Sequence, residues 1–154
     1  HSYSHLYNFQ TIGLRYFTVY GPWGRPDMAM YIFADKIMKG EPISVYNYGK
    51  MKRDFTYVDD IIMGTKAACA THYKCEVFNL GNHKSENLMD MIGMIEECLG
   101  KEAIIDLQPI QPGDVYESFA DIDKSIKLLK YKPTTDLSKG IPQFIDWYKQ
   151  YHKV

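Results

Sequence analysis

The chain has 154 residues, a formal net charge of −1 and 45% hydrophobic residues. This length supports one domain with a genuine core, and the near-neutral charge argues against a generic nucleic-acid binder, which carries a strongly basic balance. Three cysteines without a Cys-x-x-Cys argue against a disulfide framework or a zinc site and fit a reducing cytoplasm, and no apolar run reaches membrane-spanning length.

Residues 1–8 have helical spacing and read as the last turns of a helix cut from something longer. Between residues 12 and 19, Ile12, Leu14, Tyr16 and Thr18 alternate with Arg15, Phe17 and Val19. Both faces are largely apolar, which predicts a buried strand. Residues 21–26, Gly-Pro-Trp-Gly-Arg-Pro, are a loop by composition. Asp27 can then cap a helix whose apolar stripe is Met30, Phe33, Ala34 and Ile37, stopped by Gly40.

A short strand over residues 43–46, a turn to residue 52 and a second strand over 53–57 follow. Asp59 or Asp60 caps the next helix, with Ile62, Thr65 and Cys69 inward. Residues 76–80 are strand-like. Ser85 opens an amphipathic helix carrying Leu88, Ile92, Ile95 and Leu99, closed by Gly100. Residues 103–107 are a strand candidate, 110–115 a Pro/Gly loop and 123–129 a short helix. Ser138 caps the last helix, with Ile141, Phe144, Ile145 and Tyr148 inward and Pro142 in the first turn, where proline costs least. Short strands alternating with helices give an α/β class.

Four polar residues carry the candidate chemistry, and each has a plainer alternative. Arg25, between two prolines, is either a surface cation or a planar fork that grips a carboxylate or phosphate in two places. Arg53, among Lys50 and Lys52, either pairs with Asp54 or Asp59 or contacts a phosphate. Asp114 either turns its own loop or accepts hydrogen bonds from vicinal sugar hydroxyls. Thr18, at a strand's carboxyl end, is either structural or placed where open α/β sheets meet ligands. Two look-alikes fail on geometry. The pairs Tyr46/Lys50 and Tyr48/Lys52 have the spacing of a tyrosine–lysine catalytic pair, but that spacing aligns side chains only on a helix, and here it straddles a turn. His1 and His5 are four apart but have no acidic third metal ligand.

The ordered segments GLRYFTVYGPWGRPDMA, PISVYNYGKMKRDFTYVDD, VFNLGN, QPGDVYESFADI and GIPQFIDWY resemble the carboxyl-terminal half of an extended short-chain dehydrogenase/reductase. The type is the NAD-dependent sugar-nucleotide epimerase/dehydratase, and GPWGRPDM with YNYGKMKRDFTY resembles the UDP-glucuronate 4-epimerase branch. The resemblance implies an α/β substrate-binding part spanning residues 1–154. Within it, residues 1–27 would be the tail of a cofactor-domain helix and a core strand of a Rossmann-type sheet. The cofactor-binding half, with its glycine loop and helical Tyr-x-x-x-Lys pair, would lie before His1, leaving no catalytic residue here.

For the substrate, the resemblance implies Thr18 at the pyrophosphate or sugar, Arg25 near the hexuronate carboxylate and Arg53 on the diphosphate. It places Asp114 on the ribose hydroxyls, and Ile43, Val45 and Tyr46 on the strand framing the uracil. Tyr16 and Phe17 would lie near the nicotinamide of NAD. Gln111 stands where many relatives carry a second phosphate-binding arginine. The implied whole protein is a cytoplasmic homodimer acting on a UDP-sugar, with no nucleic-acid or membrane partner. Other expectations left open are another UDP-sugar epimerase, dehydratase or decarboxylase, or a nucleotide-binding module without turnover.

Overall fold

Three parallel strand pairs and one antiparallel pair, flanked by six helices, organise the computed structural model, which describes residues 1–154. In chain order the elements are α1 (Ser2–Tyr7), β1 (Thr11–Tyr16), β2 (Thr18–Tyr20), α2 (Ala29–Lys39), β3 (Ile43–Val45) and a 3₁₀ turn (Tyr46–Gly49). Then come β4 (Lys52–Arg53), β5 (Phe55–Tyr57), α3 (Val58–Cys69), β6 (Cys75–Leu80), β7 (Glu86–Asn87) and α4 (Leu88–Leu99). The chain finishes with β8 (Ile105–Leu107), α5 (Asp123–Leu129) and α6 (Leu137–His152). β1 pairs with β6, β2 with β5 and β3 with β8, all parallel, while β4 pairs antiparallel with β7.

The expected single strand over residues 12–19 is two strands with different partners. The Phe17 N–H donates to the Leu80 carbonyl at 3.4 Å, and the next N–H, from Thr18, donates to the Asp54 carbonyl at 3.1 Å. The chain changes neighbour at that peptide, so the sheet forks. Nor is the strand buried throughout. Ile12 and Leu14 pack into the smaller core with α3 and α5 residues, whereas Gly13, Arg15 and Tyr16 are exposed. β1 has a strand on one edge only, and its outward face has no covering layer.

The second fork sits at Asp54, which divides the expected strand over residues 53–57 into β4 and β5. Its carboxylate is fully buried and accepts four hydrogen bonds. The donors are the N–H groups of Asn82 (2.7 Å), Ala120 (2.9 Å) and His83 (3.1 Å), and the Thr56 hydroxyl (2.8 Å). A charge is tolerated in such a place only with this degree of satisfaction.

None of the expected side-chain caps forms, because the carboxylates take other partners and every one of these helices starts at another residue. Asp27 turns to Arg25, and α2 begins after Met28. Asp60 is buried and accepts from the N–H groups of Thr134 (3.1 Å) and Thr135 (3.0 Å). α4 begins after Asn87, not Ser85, and α6 after Asp136, not Ser138. Pro142 is accordingly the sixth residue of α6, in its second turn. The stops at Gly40 and Gly100 are observed, at φ 71° and 65°.

The inward face of α3 is Asp60, Ile61, Gly64 and Ala68; Ile62 and Cys69 point outward. Gly64 explains the rotation. A Cβ there would lie 2.8 Å from the Tyr131 ring and 2.9 Å from Leu80, so the helix seats on its glycine, which hydrophobic spacing does not register. The larger core joins α2, α4 and α6 to β3 and β5. No helix is long and apolar enough to cross a membrane.

Candidate functional site

α2, β2, β3 and β4 surround a cavity of about 440 Å³. Thr18 reaches it from the fork, just past the carboxyl end of β1. On α2, Ala29, Ile32, Phe33 and Lys36 recur at the spacing of one helical face and form one wall. Tyr46 enters from the turn after β3, Arg53 from the end of β4 and Asp114 from the loop after β8. That loop is laced to β4: the Lys52 N–H donates to the Tyr116 carbonyl at 3.0 Å, and the Ser118 N–H donates to the Lys52 carbonyl at 3.3 Å.

This lacing sets Asp114 opposite Arg53. Arg53 Nη2 donates to Asp114 Oδ1 at 2.6 Å, and Nη1 donates to the Lys52 carbonyl at 2.8 Å. The two side chains are only 19% and 34% exposed, so the pair is partly shielded from water. Asp114 also serves its loop: its Oδ1 accepts the Val115 N–H at 2.8 Å, and its own N–H donates to the Gln111 carbonyl at 3.1 Å. Arg53 therefore pairs with neither Asp54 nor Asp59. Asp114 serves as a turn residue, as one of its two readings has it, and it also lines the cavity.

A second cavity, of about 380 Å³, lies against the loop over residues 21–25 and is lined by Tyr16, Phe17, Trp23 and Arg25. Arg25 does not reach the 440 Å³ cavity; its partner Asp27 does. Arg25 Nε donates to Asp27 Oδ1 at 3.0 Å, and Nη2 bonds Oδ2. The hydrogen bond from Arg25 holds the Asp27 carboxyl below the usual carboxylate range, and the same bond pushes the Arg25 guanidinium up. Trp23 takes a left-handed backbone (φ 63°), costly for a bulky residue. Its ring rests on Trp147 and Tyr151 of α6, each at 5.4 Å.

Ile43 and Val45 are not brought to either cavity. Both are fully buried in the larger core, and the period of two gives the cavity to Ser44 and Tyr46 instead. The backbone of the strand is also engaged: the Ile43 N–H donates to the Ile104 carbonyl at 2.8 Å, and the Val45 carbonyl accepts the Gln108 N–H at 2.9 Å. The turn after β3 keeps Tyr46/Lys50 and Tyr48/Lys52 off any common helical face, since Asn47 and Tyr48 adopt left-handed angles. No group of three His, Cys, Asp or Glu side chains converges to hold a metal.

Sequence reasoning missed Lys36, Asp27 and Ser44. The signal for Lys36 was the α2 face on which it follows Ala29, Ile32 and Phe33. Lys36 makes no ion pair, so it is the cavity's uncommitted cation, and Gln111 is not among the lining residues.

A family model described as NAD dependent epimerase/dehydratase matches residues 1–81. An uncharacterized protein of Methanocaldococcus jannaschii is 49% identical over 96% of this chain and 45% of its own length. A probable UDP-glucuronate 4-epimerase of Rhizobium meliloti is 38% identical over 99% of the chain and 50% of its own length. Among solved structures, UDP-glucuronic acid 4-epimerase from Bacillus cereus, in complex with UDP-glucuronic acid and NAD, superposes with a TM-score of 0.90. It is 38% identical over 98% of this chain and 49% of that one. The chain thus spans about half the length of the curated relatives it matches.

Proposed function

The chain belongs to the NAD dependent epimerase/dehydratase family, and from that premise we propose that it is the substrate-binding part of a UDP-glucuronate 4-epimerase. The cofactor-binding half would belong to the same longer polypeptide. The observation that carries the proposal is the meeting of Thr18, Tyr46, Arg53 and Asp114 on one cavity, with Arg25 tied to it through Asp27, which lines the same cavity. The names of the Rhizobium meliloti relative and the Bacillus cereus structure support the choice of substrate.

In this reading Arg53 and Lys36 neutralise the diphosphate, and Asp114 accepts hydrogen bonds from the ribose hydroxyls. Thr18 meets the pyrophosphate or sugar, while Ser44 and Tyr46 face the uracil end. Arg25 binds the uronate carboxylate with its two-pronged guanidinium. For NAD, the lining of the second cavity suits one end only. Tyr16 and Phe17, with Val19, Tyr20 and Ile61, offer a flat apolar surface for a nicotinamide ring, and this chain has no glycine-rich turn for the dinucleotide phosphates. Bound there, NAD supplies the hydride acceptor and donor for the sugar C4.

Epimerisation makes opposed demands on these side chains. The uridine diphosphate must stay fixed while the 4-keto sugar turns to offer its other face. Arg53 and Asp114 act at the nucleotide end, remote from C4, where binding can be strong without freezing the ring. Arg25 touches the ring's own substituent and must hold it lightly.

The test is the full-length enzyme supplied with NAD and UDP-glucuronate, its product resolved by chromatography and NMR. UDP-galacturonate, the C4 epimer, is expected, with no epimerisation of UDP-glucose. Loss of carbon dioxide, dehydration, or turnover of UDP-glucose alone would assign the chain to another member of the family. Arg25→Ala is expected to weaken UDP-glucuronate while leaving UDP itself unaffected, because only the uronate carries the carboxylate that Arg25 would bind.

A further inference from the structure

The guanidinium of Arg25 is already occupied. Asp27 grips it through two parallel bonds, the Nε–Oδ1 contact at 3.0 Å and the Nη2–Oδ2 contact, which is the arrangement a ligand carboxylate would take. Arg25 lines the 380 Å³ cavity and Asp27 the 440 Å³ cavity, so the pair joins the two linings. The fold makes no other use of Asp27. Its side chain is 61% exposed, α2 starts after Met28 with no side-chain cap, and Arg25 is its only side-chain hydrogen-bond partner.

We propose that Asp27 is a built-in competitor for Arg25, a carboxylate that stands in for the sugar's own and gives way to it. This rests on the reading of Arg25 as the uronate contact. Binding is then an exchange of one carboxylate for another at the same guanidinium. An exposed ion pair contributes little in water, so the exchange is easy. A neutral hexose has nothing to displace Asp27 with and meets a closed, neutralised pair. The released Asp27 remains on the wall of a cavity that holds the uncommitted Lys36. Because the gain on exchange is only the difference between two similar contacts, the uronate is recognised without being clamped. Asp27 is thereby a specificity-determining residue: it makes the carboxylate necessary for opening the pair while keeping the ring free to turn.

Calorimetric titration of the full-length protein with UDP-glucuronate, UDP-glucose and UDP tests this. Asp27→Asn keeps the size of the side chain and removes its charge. It is expected to tighten UDP-glucuronate about three- to fivefold more than it tightens UDP-glucose or UDP, which have no carboxylate for Arg25, the equivalent of one exposed ion pair. Arg25→Ala should weaken UDP-glucuronate tenfold or more. The double variant should bind it better than Arg25→Ala alone, because Asp27 without its partner repels the incoming carboxylate. If Arg25→Ala weakens the uronate but Asp27→Asn leaves it unchanged or weaker, Asp27 supports Arg25 and the competitor role is overturned while the epimerase reading stands. If Arg25→Ala leaves the uronate affinity intact, both fall. Thermal melts of each variant verify folding, which an exposed position that caps no helix should leave intact.

Discussion

Arg53 and Asp114 pair directly on the wall of the cavity, so a ligand must be recognised by a pair rather than by two free charges. Arg53 has planar donors in several directions, and Asp114 retains Oδ2 for further acceptance. A diphosphate and a ribose can therefore be bound on either side without breaking the pair. Arg53→Ala is expected to weaken UDP and every UDP-sugar alike, by about 1.5–3 kcal/mol. An unaltered UDP affinity by calorimetry would remove Arg53 from the phosphate site. Lys36 is a point charge on a flexible stem, so Lys36→Met should have a smaller effect. A loss of about 0.5–1 kcal/mol for UDP is expected, shrinking as salt is raised. A salt-independent loss would mean that Lys36 acts through packing.

At the scale of elements, the site depends on two forks. β1 hands over to β2 at Phe17, and β4 to β5 at Asp54, so Thr18 and Arg53 arrive at neighbouring points from strands with different partners. α6 underpins this region through an unusually close contact. A Cβ at Gly140 would lie 2.1 Å from Tyr20 Oη and 2.8 Å from its Cζ. Tyr20 is buried, Oη has no hydrogen-bond partner, and burial followed by the nearby Tyr57 pushes the phenol up. In an isolated helix Gly→Ala gains about 1 kcal/mol, but here the overpacking of a buried ring costs about 1–3 kcal/mol. Gly140→Ala is thus expected to lower the urea midpoint. A raised midpoint would show that Tyr20 can step aside.

At the scale of the molecule, two of the five ion pairs, Arg25–Asp27 and Lys84–Asp136, are more than half exposed on both sides. A hydrogen bond from Lys124 holds the Glu76 carboxyl below its usual range, and one from Lys84 does the same for Asp136. Folded-state values below the unfolded ones favour the native state when the groups are ionised. Their contribution is fully present above the unfolded carboxylate range, about 4, and is lost as pH falls through the lower folded values. Thermal melts should be flat from pH 6 to 8 and fall below about pH 4. A fall centred between pH 6 and 7 would show that these carboxylates do not set the acid limit.

The sequence by itself determined the α/β class, most of the helix faces, and the glycine stops at Gly40 and Gly100. These rest on local periodicity, on left-handed backbone angles and on ordered motifs, all of which are written along the chain. Only the tertiary structure decided who partners whom. Hydrophobic spacing could not show that residues 12–19 change neighbours at Phe17, that Asp60 and Asp27 serve remote or side-chain partners rather than helix ends, or that α3 turns to seat Gly64. The resemblance placed Ile43 and Val45 on the strand framing the uracil, whereas both side chains are fully buried in the larger core, and hydrophobic spacing kept silent on Lys36. A charged side chain exchanges its local options for whichever partner the fold brings within reach. That choice is made between segments tens of residues apart, and no local pattern records it.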